Sequence, residues 1–286
     1  MTIKDLLDRA ALEARQVGAE ATSWDARLLL AHVLEGRNPL GLDLRAAADP
    51  AAQARFERLW SRRLSGIPVQ HLIGEWDFYG RTFRIDGRAL VPRPETEILL
   101  AQALREAPGA RRILDAGTGS GIIAVSYLLE RPEARALALD ISIDALALAR
   151  ENAARHGVLP RLELLASDWL TALAPTPFDA VLSNPPYLAL GEAPNLPPTV
   201  RDHEPRRALF AGDDGLVAIR VPLSSAPAFL RTGGLLVFEI GFGQASAVER
   251  EVRARSAWTF LRIESDLEGI PRVALARRTA HPATGA

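Results

Sequence analysis

Two stretches carry residue types and spacings suited to chemistry, one on a nucleoside-like ligand and one on an amide. The first is Asp115-Ala116-Gly117-Thr118-Gly119-Ser120-Gly121, set between an apolar run and a helical segment. Glycines at a strand-to-helix turn let the backbone bend tightly and approach a ligand without Cβ clashes. The spacing is G-x-G-x-G and position 122 is isoleucine, so the dinucleotide fingerprint G-x-G-x-x-G is absent. Asp140 closes the next apolar run, about 20 residues on, where a carboxylate can accept from two ribose hydroxyls. Asp115, at the tip of the first run, is expected to disfavour a pyrophosphate and to suit an ammonium group. S-adenosylmethionine has a ribose, an ammonium and a sulfonium and no phosphate, so the pattern fits it better than a dinucleotide. Trp169 follows the third run, where it can stack on adenine or simply pack at the sheet rim. A tight turn with incidental acids is the plain alternative for the whole stretch.

The second stretch is Phe178-Asp179-Ala180-Val181-Leu182-Ser183-Asn184-Pro185-Pro186-Tyr187, a strand stopped abruptly by two prolines. Prolines fix φ and donate nothing, so the loop displays carbonyl acceptors in set directions. A planar NH₂ group suits that environment. The Asn184 side-chain oxygen and the Pro185 carbonyl can each accept one of its N–H bonds and aim the nitrogen at a methyl carbon. Tyr187 can pack on the face of the planar group, and its ring favours a sulfonium cation. A plain proline turn at a strand end is the alternative.

The elements that must position these loops follow from periodicity. Residues 1–66 read as a helical bundle. Thr2 is expected to cap a helix with Ile3, Leu6, Leu7, Ala10 and Ala14 on one face. Ser23 is expected to cap a second helix that stops at Gly36, and Asp49-Pro50 a third that carries Phe56, Leu59, Trp60 and Leu64. This segment has 10 basic and 9 acidic residues. Residues 67–92 predict a β-hairpin linker around Gly80, leading to the stiff connector Val91-Pro92-Arg93-Pro94-Glu95-Thr96-Glu97. Over 93–286, apolar runs alternate with helical segments at 121–131, 143–156, 215–231 and 244–255. Two strands without an intervening helix close the pattern, near 258–265 and 271–276. The expectation is an α/β domain with a mostly parallel sheet and an antiparallel end.

Composition bounds the function. The 286 residues are 48% hydrophobic and 24% charged, ordinary for a globular protein, and the formal charge is −1. No global field draws in a polyanion, so no stable nucleic-acid partner is expected. Lys4 is the only lysine, which with abundant alanine reads as codon bias. There is no cysteine, which excludes disulfides, thiolate catalysis and cysteine-based zinc sites. The N-terminus has charges where a signal peptide needs an apolar stretch, and no uncharged run approaches the roughly 18 residues of a membrane span. A cytoplasmic, membrane-independent protein is expected. His32, His71, His156, His203 and His281 show no pairing with acids at ligand spacing, so no metal is expected. Arg201, Arg206 and Arg207 flank Glu204 and either touch a protein partner or form a solvated face. Glu95 and Glu97 suit a helix start better than acid–base work.

With these residues in place, the chain resembles the S-adenosylmethionine-dependent methyltransferases with an Asn-Pro-Pro-Tyr loop, and within them the bacterial protein-(glutamine-N5) methyltransferases of peptide chain release factors. The resemblance spans nearly the whole chain. It includes Gly74-Glu75-Trp76-Asp77-Phe78-Tyr79-Gly80, the proline-arginine-proline connector, the glycine loop, Ser167-Asp168-Trp169, Glu204-Pro205, Gly212-Asp213-Asp214-Gly215-Leu216 and Pro271-Arg272-Val273. Glu239-Ile240-Gly241 departs from relatives that carry histidine there. The resemblance implies a Rossmann-like class I methyltransferase sheet, mostly parallel with an antiparallel last strand, beside a small all-helical N-terminal domain that docks the substrate protein. It implies that Gly117, Thr118, Gly119, Ser120, Gly121, Asp140, Trp169 and Asn184 contact S-adenosylmethionine, with S-adenosylhomocysteine as product. It implies that Asn184, Pro185, Pro186 and Tyr187 hold the glutamine of a Gly-Gly-Gln motif in release factors. Asn184, Pro185 and Tyr187 are the expected catalytic residues and a monomer the expected state. Methylation of a ribosomal-protein glutamine or of an exocyclic amine on adenine or guanine is the alternative within the class; a cofactor-binding adaptor without catalysis is the alternative outside it.

Overall fold

The computed structural model describes residues 1–36 and 38–280, which fall into two compact units. The first holds Met1–Trp76, Ile85–Gly87 and Asn195–Glu204. Its helix α1 (Ile3–Val17) opens on a reciprocal capping box, in which Thr2 Oγ1 accepts from the Asp5 N–H and Asp5 from the Thr2 N–H. Helix α2 (Ser23–Val33) is capped one residue earlier than the sequence suggests. Thr22 is the extended residue and forms the same box with Asp25, while Ser23 is already helical. The helix ends at Val33, short of Gly36. Asp49 accepts from the Ala51 and Ala52 N–H groups at the start of α3 (Pro50–Leu64). A short α4 (Val69–Ile73) follows and stops at Gly74, φ +79°. Leu6, Leu29, Leu30, Phe56 and Trp60 form one core with Val69 and Leu72 of α4, so the helical core runs past residue 66. Within it Arg63 is buried against Asp25 (3.1 Å) and donates to the Glu20 carbonyl (3.2 Å), leaving neither charge unpaired.

Strands β1 (Glu75–Phe78) and β2 (Arg81–Arg84) form the expected hairpin. Tyr79 and Gly80 both have positive φ, the turn that matches strand twist in a two-residue hairpin.

The second unit holds, among the described residues, Asp77–Arg84, Arg88–Pro194 and residues 205–280. Among the described residues its sheet has seven strands in the order β5-β4-β3-β6-β7-β9-β8. They are β3 (Arg112–Ala116), β4 (Arg135–Asp140), β5 (Leu162–Ala166), β6 (Phe178–Ser183), β7 (Leu230–Glu239), β8 (Trp258–Ser265) and β9 (Pro271–Arg278). β3 to β7 pair in parallel, whereas β9 lies antiparallel between β7 and β8. The central strands are apolar nearly throughout, as burial on two faces requires. Helices α5 (Glu95–Glu106), α6 (Ile122–Glu130) and α7 (Ile143–Arg155) pack in sequence on one another. The four-residue α8 (Pro198–Arg201) belongs to the first unit; in the second, the four-residue α9 (Arg206–Leu209) precedes α10 (Val217–Ser225), which packs against α11 (Ala245–Arg253). The helix expected over 215–231 is broken after Ser225. Pro227 sits in a separate 3₁₀ turn (Ala226–Ala228), and β7 begins at Leu230, five residues before the apolar run suggests. Among the described residues no helix is long and apolar enough to cross a membrane.

Candidate active site

Parallel in-register pairing places Ala116 of β3 beside Leu139 of β4, and Asp115 beside Leu182 of β6. The carboxyl ends of these strands therefore meet at one edge, where ligands bind in open α/β sheets. Ser183 Oγ donates to the Ala116 carbonyl at 2.7 Å and ties the proline loop to the glycine loop.

The glycine loop is cross-linked to the end of β4. Gly117 and Thr118 both donate their N–H groups to the Leu139 carbonyl (2.9 and 2.8 Å), Gly119 donates to Asp140 Oδ2 (2.9 Å) and Gly121 to the Thr118 carbonyl (2.9 Å). Asn152 of α7 adds a bond from Nδ2 to the Ser120 carbonyl at 2.8 Å. With those donors engaged, the loop is no anion nest, and it fits a ligand without phosphate. Gly121 must be glycine: its φ is +81° and a Cβ there would stand 2.9 Å from Ala149 Cβ. Asp140 also accepts from the Ser142 N–H at 2.9 Å, and each carboxylate oxygen keeps acceptor capacity.

Asp115 overturns its expectation. Its side chain turns inward and is fully buried; Oδ2 accepts from Thr118 Oγ1 (2.7 Å) and from the Ala124 N–H (3.2 Å), and Oδ1 has no hydrogen-bond partner. Burial raises its pKa to about 7. It braces the start of α6 and is not part of the cavity wall described next.

A cavity of about 550 Å³ opens at this edge. Of the expected residues, its wall contains Gly117, Thr118, Gly119, Ser120, Asp140, Trp169, Asn184 and Pro186. Gly121, Pro185 and Tyr187 stand outside it. Gly121 backs onto Ala149 and Pro185 is buried. Tyr187 packs against the core, and its carbonyl accepts from Gln244 Nε2 at 2.8 Å. Burial pushes the Tyr187 hydroxyl pKa well above the usual phenol range. Trp169 holds φ +52°, a left-handed backbone that a bulky residue rarely adopts.

Asn184 is half-buried at the cavity wall, with Nδ2 donating to Thr96 Oγ1 at 3.1 Å. Thr96 Oγ1 in turn donates to Glu239 Oε2 at 2.7 Å, and both residues are buried. Sequence reasoning missed this pair. Thr96 reads as part of a connector and Glu239 as an incidental departure, although an acid closing an apolar strand at the ligand edge is a signal that could have been followed. Glu97 accepts from the Tyr79 N–H at 2.7 Å, and Glu95 lies 3.8 Å from Arg272, both in the first turn of α5. Arg206 and Arg207 belong to the cavity wall, with the Arg206 guanidinium 5.0 Å from the Phe210 ring centroid, whereas Arg201 pairs with Asp202 at 2.8 Å. Among the described residues no group of three or more His, Cys, Asp or Glu could hold a metal ion; His281 lies outside those residues.

Comparison with known proteins places this geometry. The model of the PrmC N-terminal domain matches residues 5–74, and that of the methyltransferase small domain matches residues 95–195. A release factor glutamine methyltransferase of Cereibacter sphaeroides is 45% identical over 282 residues, covering 98% of this chain and 100% of that one. The chain belongs to the release factor glutamine methyltransferases. It is therefore an enzyme that transfers methyl groups, and the cavity between the two loops is the candidate active site of a release factor glutamine methyltransferase. A bifunctional methyltransferase of Rickettsia felis is 34% identical over 96% of this chain, which spans 58% of that protein. Among solved structures, the hMettl16 catalytic domain in complex with the MAT2A 3′UTR hairpin 1 superposes with a TM-score of 0.56 at 15% identity, covering 90% of this chain and 93% of that one. That likeness is one of fold.

Proposed function

We propose that the protein transfers a methyl group from S-adenosyl-L-methionine to the side-chain amide nitrogen of the glutamine in the Gly-Gly-Gln motif of peptide chain release factors. The observation that carries the reading is the full-length 45% identity to a protein of that name, joined to a cavity whose wall offers an Asn184 carboxamide. The cofactor fits the residues present: Asp140 has acceptor capacity for ribose hydroxyls, and the N–H groups of Gly117, Thr118, Gly119 and Gly121 are engaged rather than aimed at phosphate. In this reading Gly117, Thr118, Gly119, Ser120, Asp140 and Trp169 hold the cofactor, with Gly121 setting the turn. Asn184 and the backbone carbonyl of Pro185 accept from the substrate NH₂, Pro186 borders the amide, and Tyr187 supports the loop from behind the wall.

S-adenosylmethionine supplies an electrophilic methyl carbon on a sulfonium. The chain's own residues position and desolvate. Two acceptors hold both N–H bonds of the glutamine amide, so the nitrogen presents its face to the methyl carbon at the angle the loop dictates. The prolines donate no N–H that would compete for the nitrogen lone pair. Methylation leaves a cationic amide whose proton is lost readily, so no side chain has to act as a strong base. Exclusion of water and orientation supply most of the rate. The helical segment 1–66 is proposed to dock the release factor, and the enzyme to work as a cytoplasmic monomer without a stable nucleic-acid partner.

The test is methyl transfer from labelled S-adenosylmethionine to purified release factor, beside a factor with alanine at the motif glutamine. Label on the intact factor alone supports substrate and atom together. Label on ribosomal protein or nucleic acid instead overturns the substrate, and cofactor binding with no transfer favours an adaptor.

A further inference from the structure

We propose that Thr96 and Glu239 are positioning residues that fix which end of the Asn184 carboxamide faces the cavity. The inference rests on the proposed role of Asn184 as an acceptor for the substrate NH₂. A carboxamide has a donor end and an acceptor end of nearly equal size, and only its hydrogen-bond partners decide between them. The Thr96 hydroxyl has one proton, and it is committed to Glu239 Oε2 at 2.7 Å. Towards Asn184 the same oxygen can then only accept, which holds Nδ2 at 3.1 Å and leaves Oδ1 as the free end of the group. Both Thr96 and Glu239 are 1% exposed, so water does not compete for these bonds.

The charge on Glu239 sets the direction of the chain. Four groups bear on it. Thr96 Oγ1 donates to it, the Tyr187 hydroxyl and Arg272 from β9 favour its ionised form, and Glu95 from the first turn of α5 opposes it. Arg93 acts on the neighbouring Tyr187. Burial outweighs the favourable contacts and lifts the carboxyl to about 7. Once protonated, Glu239 can donate to Thr96 Oγ1, and the Thr96 proton is released towards Asn184. The carboxamide then turns over and presents NH₂ to the substrate NH₂, donor against donor. Acid thereby converts the acceptor site into one that repels the amide.

The experiment measures kcat and KM for release-factor methylation against pH in the wild type, T96S, T96V and E239Q, with S-adenosylhomocysteine affinity as control. The Asn184 side-chain ¹⁵N–H₂ resonances are followed from about pH 6 to 8 in the wild type and E239Q, which needs no substrate. Expected are a loss of kcat of about tenfold or more in T96V, near-normal turnover in T96S and unchanged S-adenosylhomocysteine affinity. The wild-type kcat should fall below about pH 7, the acid limb should vanish in E239Q, and the Asn184 resonances should titrate in the wild type alone. T96V within twofold of the wild type, an acid limb that persists in E239Q, or Asn184 resonances indifferent to pH overturns the inference. If T96V fails to fold, the E239Q profile and the resonances decide. If the wild type binds the product but methylates no release factor, the proposed function fails, and the resonances still test the relay.

Discussion

Asn152 holds the Arg84 backbone from both sides: the Arg84 N–H donates to Oδ1 at 2.8 Å, and the Arg84 carbonyl accepts from Nδ2 at 3.1 Å. The same Nδ2 donates to the Ser120 carbonyl at 2.8 Å. One fully buried side chain on α7 thus fastens strand β2 and the glycine loop to the same point. Asn152→Ala removes all three bonds and leaves the buried Ser120 carbonyl without this partner, a cost of about 2 kcal/mol. Urea denaturation should show that loss, and calorimetry should show weaker binding of S-adenosylhomocysteine through a loosened loop.

Gly121 and Gly117 separate backbone conformation from space. Both have φ near +80°, at +81° and +78°, but a Cβ meets Ala149 only at Gly121. Gly117→Ala should cost about 1 kcal/mol from the left-handed backbone alone. Gly121→Ala adds overpacking against α7, for about 3 kcal/mol in total. Equal shifts in melting temperature for the two variants would refute the distinction.

Asp140→Asn replaces one of two carboxylate acceptors with an NH₂ group facing the N–H of Gly119 or Ser142. The expected outcome is a fall in cofactor affinity of about tenfold or more, with the melting temperature of the free protein changed far less. Equilibrium binding of labelled cofactor reads the first and thermal denaturation the second.

Asn184→Ala deletes the proposed acceptor while leaving the glycine loop and Asp140 untouched. Turnover should disappear with S-adenosylhomocysteine binding still measurable. A variant of full activity would remove Asn184 from the mechanism.

Two of the buried carboxyls, Asp115 and Glu239, set a pH dependence of stability with an uncommon sign. Asp115 keeps its proton to about pH 7 when folded but loses it near 3.8 when unfolded. Between those values the folded state carries the extra proton, so the unfolding free energy falls as pH rises, by about 1.4 kcal/mol per unit for one group. Glu239, lifted to about 7 from 4.5, adds in the same direction. Asp115→Asn does not titrate, so its stability relative to wild type should improve between pH 5.5 and 8, as calorimetric melts at about these two pH values would show.

Features built from local chemistry were legible in the sequence. The Thr2 and Asp49 caps, the Gly80 turn, the strand–helix alternation and the two loops at one sheet edge each rest on neighbouring residues. The Thr22-Ser23 pair was ambiguous because both residues cap well and only the backbone conformation chooses between them. The inward turn of Asp115 was hidden because the alternation of faces along a strand buried on both sides carries no polar mark. Asn152 with Arg84, 68 residues apart, and Thr96 with Glu239, 143 apart, leave no periodic trace at all. Their partners are set by the crossing of the sheet, and a residue such as Thr96 looks the same in the sequence whether or not it finds one.

The position of β9 makes the place of β8 in the sheet depend on it. β8 precedes β9 in the chain yet pairs with the sheet only through it, since β9 occupies the place next to β7. The short turn between them is closed locally, with Asp266 accepting from the Glu268 and Ile270 N–H groups and holding Arg272 at 3.0 Å. A hairpin joined over so few residues forms at small entropic cost, whereas its docking on β7 must close a loop of the intervening chain. We expect the hairpin to dock on β7 as a unit. Arg272, whose charge bears on Glu239, reaches the end of β7 only with that docking, where the Ile240 N–H donates to the Arg272 carbonyl at 2.8 Å. Folding intermediates that lack it would carry the glycine loop but not the charge balance that tunes Asn184, and pulse-labelled hydrogen exchange should find β8 and β9 protected together.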